Sequence, residues 1–587
     1  MNPELLLTHF DRVSAAPDAI AKLRGFILDL AVRGKLVEQN LMDEPAAELM
    51  NRVAATNSQL GKSAGPVRLD AIGAENVPFK IPSNWVWVRL RDICSKTGSG
   101  STPRGGKSVY QPDGVPFLRS QNVHDDGLRL DDVAYISQHT HEKMSGTAVE
   151  PGDLLLNITG GSIGRCCSVP AGFGQANVSQ HVAIIRVAIG GLQGYLHQLI
   201  LSPYFQSFVF SEQTGAGRGG LPKNRMDRIP VALPPLAEQQ RIVSRVNELM
   251  ALCDRLASAK AEQETRRDKL VAASHHYLNN GMNAADLPIH AHFSLSHLST
   301  ITARPEHIPA IRRTILSLSV RGQLVSQDPT DESVSELLMR IQAEKATLIK
   351  EGLLRREKRL AAIADDEVPF AVPTTWRWVR IGTCSLLTDY GTSVKSDQVA
   401  DGVPILAMGN IQDGRVVLSD RRRVPHGIDD LPQLFLKRFD LLYNRTNSAE
   451  LVGKTGIFLG DDDAYTFASY LIRIRFLNNL TSPIYANLAM NAPYFRATQI
   501  VPELQQQCGQ ANVNGSKLRN MMIPFPPLGE QHRIVAKVDA LMAVCDRLEG
   551  QLTTVQTESS RLLAAVLHLA FSDDPQPEEL VKLAALK

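Results

Sequence analysis

Two stretches of the chain place apolar residues at alternating steps of four and three. After Pro235 they fall at Ile242, Val246, Leu249, Cys253 and Leu256. After Pro527 they fall at Ile534, Val538, Leu541, Cys545, Leu548, Leu552 and Val555. Such spacing returns side chains to one face of an α-helix and forms a seam suited to a partner helix. A proline cannot extend a preceding helix but fits a first turn, so PPL at 234–236 and 526–528 marks two helix starts. About 40 residues at roughly 1.5 Å each would make a rod of about 60 Å. Each seam can bury in a core of its own, or the two can pair. Their match favours pairing.

The stretches between are patterned differently. Short apolar runs, GDLLLNI (152–158), HVAIIRV (181–187), FDLLYN (439–444) and YLIRIRF (470–476), alternate with Gly, Asp, Asn and Pro. Runs of this length broken by turn residues predict strands and loops with a few short helices. The expected fold class is therefore α+β: two compact mixed α/β domains separated by long paired helices.

The chain is also written twice. ILDLAVRGKLVEQ (27–39) returns as ILSLSVRGQLVSQ (315–327), and VPFKIPSNWVWVRL (77–90) as VPFAVPTTWRWVRI (368–381). DGVPFLRSQNV (113–123) returns as DGVPILAMGNI (401–411), and SPYF (202–205) as APYF (492–495). LPPLAEQQRIVSRVNELMALCDRL (233–256) returns as FPPLGEQHRIVAKVDALMAVCDRL (525–548). Five ordered matches at nearly constant offset define a domain-sized duplication with a pseudo-twofold. The helical ends match closely and the middles only in patches, so one scaffold carries two different middles. The predicted boundaries are a helical region at 1–83, a first middle domain at 84–235, a long helix at 236–285, a linker and second helical region at 286–375, a second middle at 376–527 and a last long helix at 528–587.

Bulk properties narrow the class. The chain has 587 residues, 43% hydrophobic and 21% charged, as in an ordinary folded protein. MNPELLLTHFDRV has no basic region leading into an apolar core, and no run approaches 18 apolar residues, so neither a signal peptide nor a membrane span is expected. Cysteines 94, 166, 167, 253, 384, 508 and 545 form no C-x-x-C pair. A reducing, cytoplasmic setting without a zinc site is the simplest expectation. The net charge of +2 divides into about +3 on each middle and −4 elsewhere, a weak basic bias for a nucleic-acid binder.

Residues 98–108, GSGSTPRGGKS, hold the one enzyme-like signature. Gly106, Lys107 and Ser108 fit the end of a phosphate-cradling P-loop, but Ser101 stands where its first glycine belongs. The counterpart TDYGTSVKSDQ (388–398) has one glycine and no G-K-[ST]. A nucleotide-hydrolysing enzyme built on this loop is thus disfavoured, and a pure assembly scaffold is a further alternative. Both loops share glycine, hydroxyls and a cation, which suit phosphate or base-edge contact as well as a solvated loop. G-x-S-x-G, H-E-x-x-H and N-P-P-[YF] are absent. Gly160, Gly161 and Gly164 in ITGGSIGR are a weak pattern by themselves.

Two variable middles, each opened by P-x-x-W-x-W and closed by PPL-x-EQ-x-RIV before a long helix, resemble the specificity (S) subunit of Type I restriction–modification enzymes. The resemblance spans nearly the whole chain. PELLLTHFDRV with ILDLAVRGKLV further resembles one subgroup of that family. It implies that each middle is a target recognition domain reading one half of a split DNA sequence. It implies that the repeated helices form an antiparallel spacer and dock two methyltransferase (M) subunits, which bind S-adenosylmethionine and modify adenine. Restriction (R) subunits would add translocation and cleavage with ATP and Mg, and the S subunit itself would catalyse nothing and bind no cofactor or metal.

Candidate DNA contacts follow from residue type, since Arg suits guanine and Asn or Gln suits adenine. In the first middle they are Ser99, Ser101, Arg104, Lys107, Arg119, Gln121, Asn122, Arg165, Arg218, Lys223 and Asn224. In the second they are Tyr390, Thr392, Lys395, Asn410, Arg445, Asn447, Lys454, Asn512, Asn514 and Lys517. Arg421, Arg422 and Arg423 can clamp phosphate or face solvent. Trp85, Trp87, Trp376 and Trp378 are expected in the cores at the domain openings.

Overall fold

The computed structural model describes residues 16–59, 77–212, 219–280, 287–396, 401–507 and 510–569. The chain divides into two units, residues 1–263 with 556–587 and residues 264–555. The N-terminal PELLLTHFDRV segment lies outside the described residues.

The first unit opens with helices α1 (Ala19–Val32) and α2 (Ala46–Gln59). Strand β1 (Val86–Arg89) then begins the middle domain, and strand β8 (Pro230–Leu233) ends it. These two strands pair antiparallel, Trp87 opposite Ala232, so the domain is zipped shut at its own ends. Between them lie β2 (Cys94–Ser99), β3 (Val115–Leu118), β4 (Leu154–Asn157), β5 (Cys166–Ser168), β6 (Asn177–Val178) and β7 (Val182–Val187). The central antiparallel sheet has the order β2-β7-β4-β5.

Both faces of that sheet are covered, which explains its continuous apolar runs. Alternate side chains of a strand point to opposite faces. Leu154, Leu156, Ala183 and Ile185 face a core shared with α1, α3 (Leu192–Leu201) and α4 (Pro203–Ser211). Leu155, Val182 and Ile184 face a second core with Leu118 and Val178 of the smaller sheet. The first long helix, α5 (Leu236–Asn280), leaves from β8.

The second unit repeats this plan. Helices α6 (Ile308–Val320) and α7 (Val334–Lys350) precede β9 (Arg377–Arg380), which pairs with the closing strand Met522–Phe525. Strands β10 (Leu387–Tyr390), β12 (Leu441–Asn444) and β16 (Leu471–Arg475) form the core of its sheet, with β11 (Val403–Leu406), β13 (Thr446–Asn447), β14 (Thr455–Ile457) and β15 (Thr466–Phe467) beside or below. Leu441, Tyr443, Ile472 and Ile474 face the helices, whereas Leu442 and Leu471 face the smaller core. Helix α8 (Pro483–Asn491) covers the helix-side core. Strand β17 (Gln510–Asn512) pairs with β13 in a small sheet of its own, and α9 (Gly515–Asn520), closing strand β18 (Met522–Phe525) and the second long helix α10 (Leu528–Leu569) follow.

One polar bracket explains the most strongly repeated motifs. In the first unit Trp85 Nε1 donates to Glu238 Oε2 at 3.0 Å, and Gln39 Nε2 donates to Glu238 Oε1 at 2.7 Å. In the second, Trp376 reaches Glu530 at 2.9 Å and Gln327 reaches it at 3.2 Å. The adjoining Gln239 and Gln531 each donate to a proline carbonyl of their PPL turn, both at 2.9 Å. Arg241 pairs with Asp43, and Arg533 with Asp331. Thus P-x-x-W, RGxLVxQ and PPLxEQ, distant in sequence, meet at the root of each long helix.

The seams are used locally. Ile242, Val246 and Cys253 bury with Ile27, Leu28 and Ala31 of α1 in the core of their own unit. Ile534, Val538 and Cys545 do the same in the second unit, whereas Leu256 and Val555 remain more than half exposed. Each long helix starts in its own unit and ends in the other, in opposite chain directions. In the first unit, Leu562, Leu563, Val566 and Leu567 of α10 pack on Ala19, Phe26 and Leu30 of α1. In the second, the end of α5 meets α6, with His275 Nδ1 2.8 Å from Thr314 Oγ1. The short helix of each repeat is therefore the immediate partner of both long ones, an arrangement that the seam spacing alone left open.

Candidate nucleic-acid interface

In each middle domain one end of the central sheet gathers three loops: the turn after β2 or β10, the loop after β4 or β12, and the segment before the closing strand. The first turn is shaped by a glycine. The Gly100 amide donates to Val182 O at 2.9 Å. A Cβ there would lie 1.9 Å from Val178 O, and at Gly391 it would lie 2.2 Å from Phe467 O. Only glycine permits this backbone approach, so the glycine common to both loops serves the fold.

Residues 98–108 do not build a phosphate cradle. After β2 the chain passes exposed Ser101 and Arg104 into a short 3-10 turn, Gly106–Val109, and then into a strand at Tyr110–Gln111. The helix that a P-loop needs does not follow. Lys107 lies in that turn; Ser108 Oγ donates back to Gly105 O at 2.7 Å.

Several predicted contacts hold internal positions instead. Asn122 is buried; its Oδ1 accepts from Arg119 N at 2.9 Å and its Nδ2 donates to Arg129 O at 2.9 Å. Asn410 makes the same two bonds, to Ala407 N at 2.9 Å and Val417 O at 2.8 Å. Both asparagines lock a turn and have no free edge for adenine. Thr392 is buried, its hydroxyl 2.5 Å from Asp430 Oδ2. Lys517 Nζ sits 2.9 Å from both the carboxylate and the carbonyl of Glu503. Asn514 Oδ1 caps α9 by accepting from Lys517 N at 2.9 Å. Residue type suggested these five; each has its side chain engaged within the fold, with the Asn514 amide left over.

The remaining candidates are placed as follows. Arg119 donates to Asp132 O at 3.0 Å and Gln121 to Asp132 Oδ2 at 2.7 Å, both at the rim. Ser99, Arg165 and Asn224 are exposed, and Lys223 is half exposed but paired with Asp227. The Lys223 Cε lies 3.7 Å from where a Gly98 Cβ would stand, joining the first and third loops. Arg218 lies outside the described residues. In the second domain Lys395 and Lys454 are exposed. Asn447 on β13 pairs across to β17, where Thr446 Oγ1 donates to Asn512 Oδ1 at 3.2 Å. Arg423 is tied to Gly402 O at 2.8 Å, whereas Arg421 and Arg422 face solvent.

Tyr390 and Arg445 form the tightest group. The Tyr390 hydroxyl accepts from Gly515 N at 2.6 Å, and the Arg445 guanidinium stacks 4.8 Å above its ring. In the first domain sequence reasoning missed Thr159 and His181, whose side chains meet at 2.6 Å beside the same loops. They are 22 residues apart, so no spacing rule joins them. The four tryptophans lie in or against the cores, as expected. The six described cysteines are buried, and burial pushes the Cys167 and Cys384 thiols up to about 12, which suppresses thiolate chemistry.

A family profile described as "Type I restriction modification DNA specificity domain" matches residues 82–264 and 404–555, more than half of the chain. The chain belongs to this specificity-domain family. The first matched span runs from the Trp85 bracket into α5, and the second from β11 into α10. Curated relatives include the Type I restriction enzyme EcoEI and EcoAI specificity subunits of Escherichia coli. Each is 29% identical, over 575 and 565 residues respectively, covering 94% of both chains. The EcoKI specificity subunit of strain K12 is 20% identical over 84% of this chain and 89% of its own. The crystal structure of an HsdS subunit from Thermoanaerobacter tengcongensis aligns at 18% identity and TM-score 0.42, covering 85% of this chain and 99% of that one. Among the described residues of this specificity-family chain, no helix is long and apolar enough to cross a membrane.

Proposed function

We propose that this chain is the DNA-specificity subunit of a Type I restriction–modification complex. Its two middles each read one half of an asymmetric, bipartite double-stranded target. One observation carries this reading: two copies of one closed scaffold present different side chains at equivalent places. Strand register sets the equivalence, since Ser99 opposes Ala183 and Tyr390 opposes Ile472, while Asn157 and Asn444 close β4 and β12 opposite Val182 and Leu471. Ser99 and Ile158 therefore stand where Tyr390 and Arg445 stand in the second copy. Unlike heads on a common frame suit unlike half-sites.

The chain contributes recognition and no chemistry. The long helices and the bracket at their roots dock two methyltransferase subunits, which bind S-adenosylmethionine; restriction subunits supply ATP- and Mg-dependent steps in the cytoplasm. Methylome sequencing of cells carrying the chain with its methyltransferase partner tests the proposal. A split, asymmetric methylated motif is expected. Replacing residues 84–235 by the matching region of a relative should change one half of that motif and leave the other. An unchanged motif would instead support an assembly scaffold that does not touch DNA, and ATP turnover by the purified chain, lost in Lys107→Ala, would support the enzyme reading.

A further inference from the structure

The arginines of the second domain differ in how their charge is held. Arg380 pairs with Glu367, Arg473 with Asp389, Arg475 with Asp440 and Arg519 with Glu357. Arg496 is tied to two carbonyls, Val452 O at 2.9 Å and Ala449 O at 2.6 Å. Arg445 is held in another way. It touches one carbonyl, Ser469 O, at 3.3 Å through Nη1, and no ion pair neutralises it among the described residues. Its Nε is buried without a partner.

Yet this side chain is not loose. Its backbone is fixed on both sides, Arg445 N donating to Tyr470 O at 3.1 Å and Val513 N donating to Arg445 O at 2.9 Å. Its guanidinium lies on the Tyr390 ring. Tyr390 is fixed in turn by the Gly515 amide on its hydroxyl. A guanidinium pinned over a fixed ring, with donors left over and no counter-charge among the described residues, is preorganised for a pair of acceptors from outside the chain.

Resting on the reading of this domain as a DNA-recognition module, we propose that Arg445 is a specificity-determining residue that reads the O6/N7 edge of one guanine in the second half-site. Tyr390 is its positioning residue. Guanine presents two adjacent acceptors, O6 and N7, that the fork of a pinned guanidinium fits. In the first domain Ile158 occupies the matching place and offers no donor, so the contact belongs to one half of the target alone.

The test uses the full chain assembled with its methyltransferase subunits, read by methylome sequencing and by binding to duplexes altered one base pair at a time. Arg445→Gln and Arg445→Lys should each lower discrimination at one guanine of the second half by on the order of tenfold to a hundredfold. The first half should stay unchanged. Arg445→Lys keeps the charge and should retain binding to unrelated duplex, which separates lost reading from lost folding. Tyr390→Phe, which keeps the ring but loses the Gly515 anchor, should weaken selectivity slightly, and Tyr390→Ala should weaken it further at the same base pair. Equal weakening on every sequence, with a shallower salt dependence, would identify a phosphate contact and overturn the proposal. So would unchanged selectivity in Arg445→Gln. If the unsubstituted complex has no split target at all, the reading of the whole chain fails together with this one.

Discussion

Glu238 and Glu530 offer a matched pair of perturbations, one in each unit. Both are buried, and each accepts the indole N–H of a buried tryptophan. Glu238→Ala would leave the Trp85 N–H without an acceptor. Gln39 would not be stranded, because its amide also donates to Gly34 O at 3.2 Å. An orphaned buried donor costs about 1–3 kcal/mol. Removing a carboxylate that burial already disfavours offsets part of this, and the void left behind adds to it. The net loss should be about 2 kcal/mol. Two units in one chain make a single global transition a poor probe, so local opening is the better measure. Amide hydrogen exchange of Val86–Arg89 and Pro230–Leu233 should speed up roughly thirtyfold in Glu238→Ala. The paired strands of the second unit should hardly change. Glu530→Ala should give the converse pattern. Exchange that stays unchanged in both variants, or that rises equally in both units for either, would refute the bracket as a local clamp.

The pH dependence of the same site has a defined sign. Burial lifts both carboxyls above the ordinary value of 4.5, against the opposing pull of the tryptophan and glutamine hydrogen bonds. The folded state then holds the proton more tightly than the unfolded state. Stability from this group therefore falls as pH rises from about 4.5 through the folded value. Glu238→Gln keeps an acceptor and cannot titrate. The stability of the natural chain relative to Glu238→Gln should decline across that window and level off above it; a difference that grows with pH would reverse the sign.

Other substitutions probe the scaffold beneath the candidate interface. Asn122→Ala and Asn410→Ala each lose two turn-locking bonds and should cost about 1–3 kcal/mol, read as faster amide exchange in their own unit, while methylome sequencing returns the same motif. Gly100→Ala and Gly391→Ala would drive a methyl into a carbonyl oxygen and should destabilise by about 1–3 kcal/mol or more, seen as faster exchange of the strands beside them. Asp153, whose side chain is fully buried, holds Arg186 at 2.7 Å. Asp153→Ala removes two of the bonds to Arg186 but leaves its pairing with Glu150, and should cost about 1–3 kcal/mol, measured by the same exchange experiment.

Much of the architecture was legible because it rests on periodicity. Leu154–Leu156 and Val182–Ile185 read as strands and are strands, which the structure shows covered on both faces. The long helices were visible from their seams, but their partner was not. A seam records that a face is buried and not against what, and here the short helix of each repeat, α1 or α6, takes the face first. The second copy spoke against a P-loop in sequence, and Gly106–Val109 in a 3-10 turn agrees. Site residues were the least legible. Type alone does not separate Asn122, buried in a turn, from Asn224, exposed beside Lys223, because that difference lies in hydrogen-bond partners several residues away.

The duplication supplies the missing discriminator. Groups that make the same internal contacts in both copies serve the scaffold: Asn122 and Asn410, Gly100 and Gly391, and the pairs Asp153–Arg186 and Asp440–Arg475 hold equivalent geometry. A group that must make the same internal bond in two domains cannot also read two different sequences. Variation has the opposite meaning when the backbone is equivalent. Ser99 against Tyr390 and Ile158 against Arg445 change size, charge and hydrogen-bonding capacity on strands of matching register. No packing requirement common to the two frames demands those changes. Had the candidates been sorted by whether the second copy repeats them, Asn122 and Asn410 would have been set aside and Tyr390 and Arg445 kept. In a protein written twice, one half is the control for the other, and the differences between them carry the specificity.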